Sequence, residues 1–157
     1  MIRPGIGDLI SIYGSKKYYY ALILSKIRLG GAPLVFAFHQ TSAKPLEAAE
    51  LLRRPVGFHA FIDFIYAKRE GRIGRIASRV DITPFGLPKL FKSAPLPGDE
   101  PAEWRIWNGE KSSVVRRAPK LSKAERDYPL FQASGDVWMR RHIDHKWRPS
   151  MAEVYDT

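Results

Sequence analysis

The chain opens with two apolar runs around a short polar turn: Gly7-Asp8-Leu9-Ile10-Ser11-Ile12-Tyr13, then Gly14-Ser15-Lys16-Lys17, then Tyr18-Tyr19-Tyr20-Ala21-Leu22-Ile23-Leu24-Ser25-Lys26. Ile, Leu and Tyr suit a pleated, partly buried surface, and a short turn that contains Gly can reverse the chain. The stretch therefore predicts an antiparallel hairpin over residues 8–26, with its turn at 14–17. We expect it to supply the first two strands of an SH3-like fold or a curled antiparallel sheet.

The segments that follow extend this β-rich prediction. An apolar run predicts a buried strand at 34–38, and an Ala/Leu/Glu-rich segment with arginine at its end predicts a short helix at 46–54. The runs at 57–66 and 72–82 are typical of further strands. Five prolines lie between 83 and 101, so we expect a long surface connection there.

The second half begins with alternating aromatic residues at 104–107, a strong turn signal at Asn108-Gly109 and a return strand at 112–117. Periodicity does not decide between strand and helix for 135–143. The prediction is one predominantly β, α+β domain over 1–147, with one or two short helices and a mobile tail at 148–157.

Composition bounds the classes of function. The chain has 157 residues, a formal net charge of +10 and no Cys, so it forms no disulfide and no thiolate metal site. Its N-terminus lacks the apolar run of a signal peptide, and no stretch approaches the ~20 apolar residues of a membrane span. We expect a cytoplasmic protein that does not bind membranes. Its positive charge favours an anionic partner, either an acidic protein surface or nucleic acid.

Motifs for catalysis are weak. The sequence His142-Ile143-Asp144-His145 contains three side chains of metal-ligand type, but neither a strand nor a helix gathers all three, and arginines surround them. No Gly-x-Ser-x-Gly elbow, phosphate loop or paired carboxylates occur. We therefore expect no catalytic residues, no metal, no cofactor and no enzymatic activity.

Basic residues are the strongest functional signal. Two arginine pairs, Arg116-Arg117 and Arg140-Arg141, fall in predicted elements of the second half, and we predict that these four side chains face the partner. Nucleic-acid binding is the alternative, since Tyr18, Tyr19 and Tyr20 could stack on bases. The opposing interpretation is that two of the three tyrosines enter the core.

A resemblance to one family rests on several of these segments. The opening at 7–12, the aromatic strand at 18–24 and Trp104-Arg105-Ile106-Trp107, with the regions 121–129 and 138–147, together resemble the immunity protein 26 family of bacterial polymorphic toxin systems. The resemblance implies a cytoplasmic, non-enzymatic protein that neutralises a cognate toxin by binding and occluding it.

Overall fold

The computed structural model describes residues 4–153, which form nine strands and three short α-helices. The strands are β1 (Leu9–Tyr13), β2 (Tyr18–Leu29), β3 (Ala32–Phe38), β4 (Gly57–Asp63), β5 (Ile73–Ala77), β6 (Leu90–Ser93), β7 (Trp104–Asn108), β8 (Ser113–Ala118) and β9 (Ala133–Gly135). The helices are α1 (Ala48–Arg53), α2 (Ile65–Arg69) and α3 (Asp136–Asp144). The predicted α+β, predominantly β class is confirmed, with three helices rather than one or two.

Two sheets organise the strands. The large sheet has the order β5-β1-β2-β3-β4-β9 and is antiparallel except for the parallel pair β4–β9. The small sheet has the order β6-β7-β8 and is antiparallel throughout. The predicted hairpin is confirmed: β1 pairs with β2, and Tyr13 lies opposite Tyr18 across the turn at 14–17.

The large sheet is covered on both faces. Successive side chains of a strand point to opposite sides, so each strand contributes residues to both faces. On one face Tyr19, Ala21 and Ile23 pack with Met139 and Ile143 of α3. On the opposite face lie Tyr20, Leu22 and Leu24, together with Leu51 of α1 and Phe85. Two of the three consecutive tyrosines, Tyr19 and Tyr20, are therefore core residues.

Aromatic packing joins the two sheets. The Phe91 ring of β6 lies 5.1 Å from the Phe61 ring of β4, and both rings contact Phe131. Lys92, next to Phe91, is buried and donates hydrogen bonds from Nζ to the carbonyl oxygens of Arg126 and Pro149. Burying an ammonium group is costly unless acceptors surround it. These two carbonyls offset that cost at the junction between the sheets.

Three elements differ from the sequence expectation. The strand expected over 57–66 ends at Asp63, whose side chain accepts a hydrogen bond from the Ile65 N–H, and α2 follows. The proline-rich stretch contains β6, which is an edge strand and so tolerates nearby prolines. The segment 135–143, left open between strand and helix, lies in α3 apart from Gly135, which ends β9.

Residues 149–152, near the end of the described part of the chain, pack against the domain, and Ala152 contacts the main core cluster. Pro149–Met151 forms a 3₁₀ turn, and the Pro149 carbonyl accepts a hydrogen bond from Lys92. The rest of the predicted tail, residues 154–157, lies outside the described residues. Along 4–153, none of the helices has the length and apolar character that crossing a membrane requires.

Candidate functional site

A cleft of about 730 Å³ opens between the β1–β2 turn, α2 and the start of α3, and we call it the α2–α3 cleft. The turn comes close because Gly14 has no side chain: a Cβ there would lie 2.8 Å from the Tyr19 ring and 3.2 Å from Arg140 Nη1. The cleft is lined by Gly14, Ser15, Tyr66, Glu70, Arg72, Gly135, Asp136, Val137, Trp138 and Arg140.

Its floor is a buried carboxylate held by two arginines. Asp136 is only 2% exposed, and its Oδ2 lies 3.1 Å from Arg72 Nη1 and 3.2 Å from Arg140 Nε. Arg72 also donates to the Tyr13 carbonyl and to Glu70 on the rim. Burying a carboxylate is tolerable only when it is paired, and here two cations provide the pairing.

The unused hydrogen-bonding groups at the cleft are mostly donors. Arg140 donates to Asp136 through Nε alone, and its Nη1 and Nη2 hydrogen-bond to none of the described residues. The Arg140 side chain is nevertheless only 22% exposed. The Trp138 indole N–H is fully buried and also lacks an acceptor among residues 4–153. Buried donors without a partner are rare in folded proteins. The cleft is therefore suited to a ligand that carries acceptors.

Two exposed apolar side chains flank these donors. Tyr66 on α2 is 64% exposed and Val137 on α3 is 56% exposed. Tyrosine and arginine are the residues that most often carry the binding energy of protein interfaces, and an apolar contact beside them excludes water. The α2–α3 cleft thus combines anchor types that a protein partner uses.

A second, smaller cleft continues around α3. It has a volume of about 350 Å³ and shares Gly135 and Trp138 with the α2–α3 cleft, while Arg141 lines it on the other side. Arg140 and Arg141, which the sequence predicts to face a partner, therefore line adjoining clefts. Arg141 is exposed and Arg140 is partly buried.

The other predicted pair, Arg116 and Arg117, lies on β8, the edge strand of the small sheet. Arg116 Nε and Nη2 bind both carboxylate oxygens of Glu125, at 2.8 and 3.0 Å. Glu125 Oε1 also accepts the Ser122 N–H, and Ser122 Oγ accepts the Glu125 N–H, which is a capping box around the following 3₁₀ turn.

This second arginine–carboxylate centre satisfies itself. The hydrogen bonds from Arg116 and the Ser122 N–H lower the pKa of Glu125 to about 2. Arg117 is exposed and stands opposite Arg105 of β7. The structure thus places the four predicted arginines on two different elements, with Arg116 paired to Glu125 at the surface.

The histidine-rich segment at the end of α3 has internal partners. His142 Nδ1 donates to the Trp138 carbonyl, and its ring stacks on Trp138 with centroids 3.8 Å apart. Asp144 accepts the Tyr19 hydroxyl at 2.9 Å and pairs with Lys17 at 2.7 Å, while His145 is exposed. Within the described part of the chain, no three His, Asp or Glu side chains are grouped to hold a metal ion.

Tyr19 supports the cleft from below. Burial and the hydrogen bond to Asp144 raise the pKa of Tyr19 to about 12, so its phenol stays neutral at physiological pH. The Arg140 guanidinium carbon lies 5.9 Å from the centre of the Tyr19 ring, within the range of a cation–π contact. Tyr19 therefore fixes Arg140 against the sheet while Arg140 keeps its outer nitrogens free.

A further groove of about 620 Å³ lies between β4 and β6 and is largely apolar, with Leu87, Tyr128 and Pro129 in its lining. His59 lines this groove, and its Nε2 donates a hydrogen bond to the Phe85 carbonyl, which can only accept, so Nε2 carries the proton. Burial lowers the pKa of His59 and keeps the ring neutral. Lys89 and Asp127 also line this groove, one charge of each sign.

The sequence analysis predicted Arg140 and Arg141 as partner-facing, and both line clefts, but it did not single out Arg72, Asp136, Tyr66 or Val137 as site residues. Arg72 and Asp136 are 64 positions apart, and only the tertiary fold joins them. Tyr66 was assigned to a strand that in fact ends earlier. The only local signal was Asp136 in the first turn of the helical segment, and first-turn acids are common in helices.

No protein-family model matches this sequence, and no curated protein or solved structure is significantly similar to it. The chemistry of the clefts is therefore what supports a function.

Proposed function

We propose that this chain is a non-enzymatic binding protein that neutralises a bacterial toxin by binding and occluding it, as an immunity protein does. The observation that carries the proposal is the α2–α3 cleft, where exposed Tyr66 and Val137 lie beside Arg140, whose outer nitrogens are uncommitted. The pattern-level resemblance of the sequence to the immunity protein 26 family supports the same function.

Neutralisation would be steric and electrostatic. A net charge of +10 steers an acidic partner toward the protein and raises the association rate. Apolar and arginine anchors in the cleft then slow dissociation. Neither step requires a catalytic group, a metal or a cofactor, and both proceed in the cytoplasm, where an immunity protein meets an incoming toxin.

Nucleic-acid binding is the second candidate. The observation in its favour is a group of exposed basic side chains on and after β8, at Arg117, Lys120, Lys123 and Arg126. Against it, Tyr19 and Tyr20, which would have to stack on bases, are buried in the two faces of the large sheet.

The test is to identify a toxin domain encoded by a neighbouring gene and to co-express it with this chain. We expect restored growth, a 1:1 complex and a submicromolar Kd. Binding of generic RNA or DNA at that level, with an affinity that falls by about 10³-fold or more between 50 and 200 mM salt, would favour the second candidate instead. A toxin that kills cells equally with and without the chain would contradict the proposal.

A further inference from the structure

We infer that the α2–α3 cleft takes an acidic segment of the toxin, with a carboxylate on Arg140 and an adjacent apolar side chain between Tyr66 and Val137. This inference rests on the proposed function, because it assigns the toxin's contact site. The occupant is assigned from the chemistry of the cleft, where Arg140 holds donors uncommitted to any described residue and Tyr66 and Val137 are exposed apolar side chains, while the rim carboxylate Glu70 is paired with Arg72.

The pairing of charges among the described residues leaves Arg140 with unused donors in the cleft. Asp136 faces two guanidinium groups, and it is buried beneath them. Arg72 is further engaged by Glu70 and the Tyr13 carbonyl, whereas Arg140 binds Asp136 through Nε alone. Arg140 Nη1 and Nη2 therefore remain as a fork of donors, which matches the two oxygens of a carboxylate.

The second step concerns preorganisation. Arg140 is clamped between Asp136 and the Tyr19 ring, and Gly14 brings the β1–β2 turn within reach of its Nη1. A side chain that is already ordered loses little rotamer freedom when it binds, so more of the interaction energy appears as affinity. The exposed β8 arginine, Arg117, has no comparable support among the described residues.

The third step concerns the apolar rim. Val137 follows Asp136 directly and is 56% exposed, so it lies next to the arginine–carboxylate centre on the same turn of α3. Tyr66 lines the same cleft from α2. A partner residue that covers both would exclude water from Arg140 and strengthen its hydrogen bonds to a carboxylate.

The experiment changes the charge at Val137. An acid in the first turn of α3 suits the helix dipole, so Val137→Glu should fold normally while repelling an acidic occupant. We expect Val137→Glu to bind the toxin domain at least about tenfold more weakly than Val137→Lys, a difference of about 1.4 kcal/mol. Val115 on β8 is the matched control, because it is also 56% exposed, and Val115→Glu and Val115→Lys should bind alike.

A second measurement needs no toxin. The peptide acetyl-Asp-Leu-Glu-Tyr-amide is titrated into the full chain, and acetyl-Asn-Leu-Gln-Tyr-amide is the control. We expect the acidic peptide alone to shift the NMR signals of the Trp138 indole N–H and the Arg140 Nε–H, and Val137→Glu to reduce that shift.

The outcomes separate the two proposals. Equal effects of both peptides, or a toxin affinity that is the same in Val137→Glu and Val137→Lys, would overturn the cleft assignment even if the chain protects cells. A chain that fails to protect, but whose cleft responds only to the acidic peptide, would overturn the immunity function and leave the acidic-segment chemistry standing.

Discussion

Glu125 and Asp136 are both buried carboxylates that bind arginine, but Glu125 has one arginine and Asp136 has two. Arg116 binds Glu125 through Nε and Nη2, and the Ser122 N–H also donates to Glu125, so both carboxylate oxygens are engaged. Arg140 meets Asp136 with Nε only and keeps two nitrogens free. Similar ion pairs therefore have different consequences. The Arg116–Glu125 pair stabilises the small sheet, whereas Arg140 in the α2–α3 cleft keeps hydrogen-bond donors that the described residues do not use.

The difference lies in what surrounds each centre. Arg116 is about half exposed on an edge strand, so water screens its ion pair and limits its contribution. Asp136 lies under the protein surface, where an uncompensated charge is expensive. The two arginine pairs look alike in the sequence, but their surroundings in the folded protein differ.

Removal of the buried charge should have the largest effect on stability. Asp136→Asn leaves two largely buried guanidinium groups without a counter-charge, and we expect the free energy of unfolding to fall by about 3 kcal/mol. Glu125→Gln should cost about 1 kcal/mol, because its arginine is solvated. Urea denaturation measures both. Glu70→Gln, at an exposed partner of Arg72, is the control and should change little. Equal losses for Asp136→Asn and Glu125→Gln would break the contrast.

Acid should break the ion pair between Arg116 and Glu125. The pKa of Glu125 is about 2 in the folded protein against an ordinary 4.5, so the folded state favours the carboxylate. Its contribution is complete above pH 4.5 and is lost as the pH falls toward 2. The urea midpoints of wild type and Glu125→Gln should therefore converge over that range. A constant gap down to pH 2 would show that Glu125 does not titrate as described.

An effect as small as that of Glu125→Gln is expected for the tyrosine that supports Arg140. Tyr19→Phe removes the hydrogen bond to Asp144, and we expect a loss of about 1 kcal/mol. Because the pKa of Tyr19 is raised from 10.0 to about 12, its contribution is present below pH 10 and is lost as the pH rises toward 12. Tyr66→Phe, at an exposed tyrosine, is the matched control in urea denaturation. Identical midpoints for the two variants would show that the Tyr19 hydroxyl stabilises the protein no more than the exposed Tyr66 hydroxyl does.

Much of the fold follows from local sequence. The opening hairpin has alternating apolar residues around a polar turn, and Asn108-Gly109 sets the second hairpin, so both are visible in short windows. The helix α2 was missed because 57–66 is predominantly apolar and the end of β4 depends on the Asp63 side chain. The strand β6 was missed because prolines flank it, although an edge strand accepts them.

The candidate site was less accessible from sequence. Arg140 and Arg141 stood out by charge, but so did Arg116 and Arg117, and nothing local separates the two pairs. What separates them is the location of their carboxylates: Glu125 lies nine residues after Arg116, while Asp136 also draws in Arg72 from 64 residues away. Long-range pairing of this kind depends on the tertiary fold, not on periodicity.

The most direct test of the account divides the four arginines into their two pairs. The Kd for the toxin domain that this chain neutralises is measured for Arg140→Gln/Arg141→Gln and for Arg116→Gln/Arg117→Gln, with urea midpoints confirming that both fold. We predict that the α3 pair weakens binding by about 30-fold, as the loss of a central anchor does, and that the β8 pair weakens it by less than about threefold. A larger loss from the β8 pair would contradict the account.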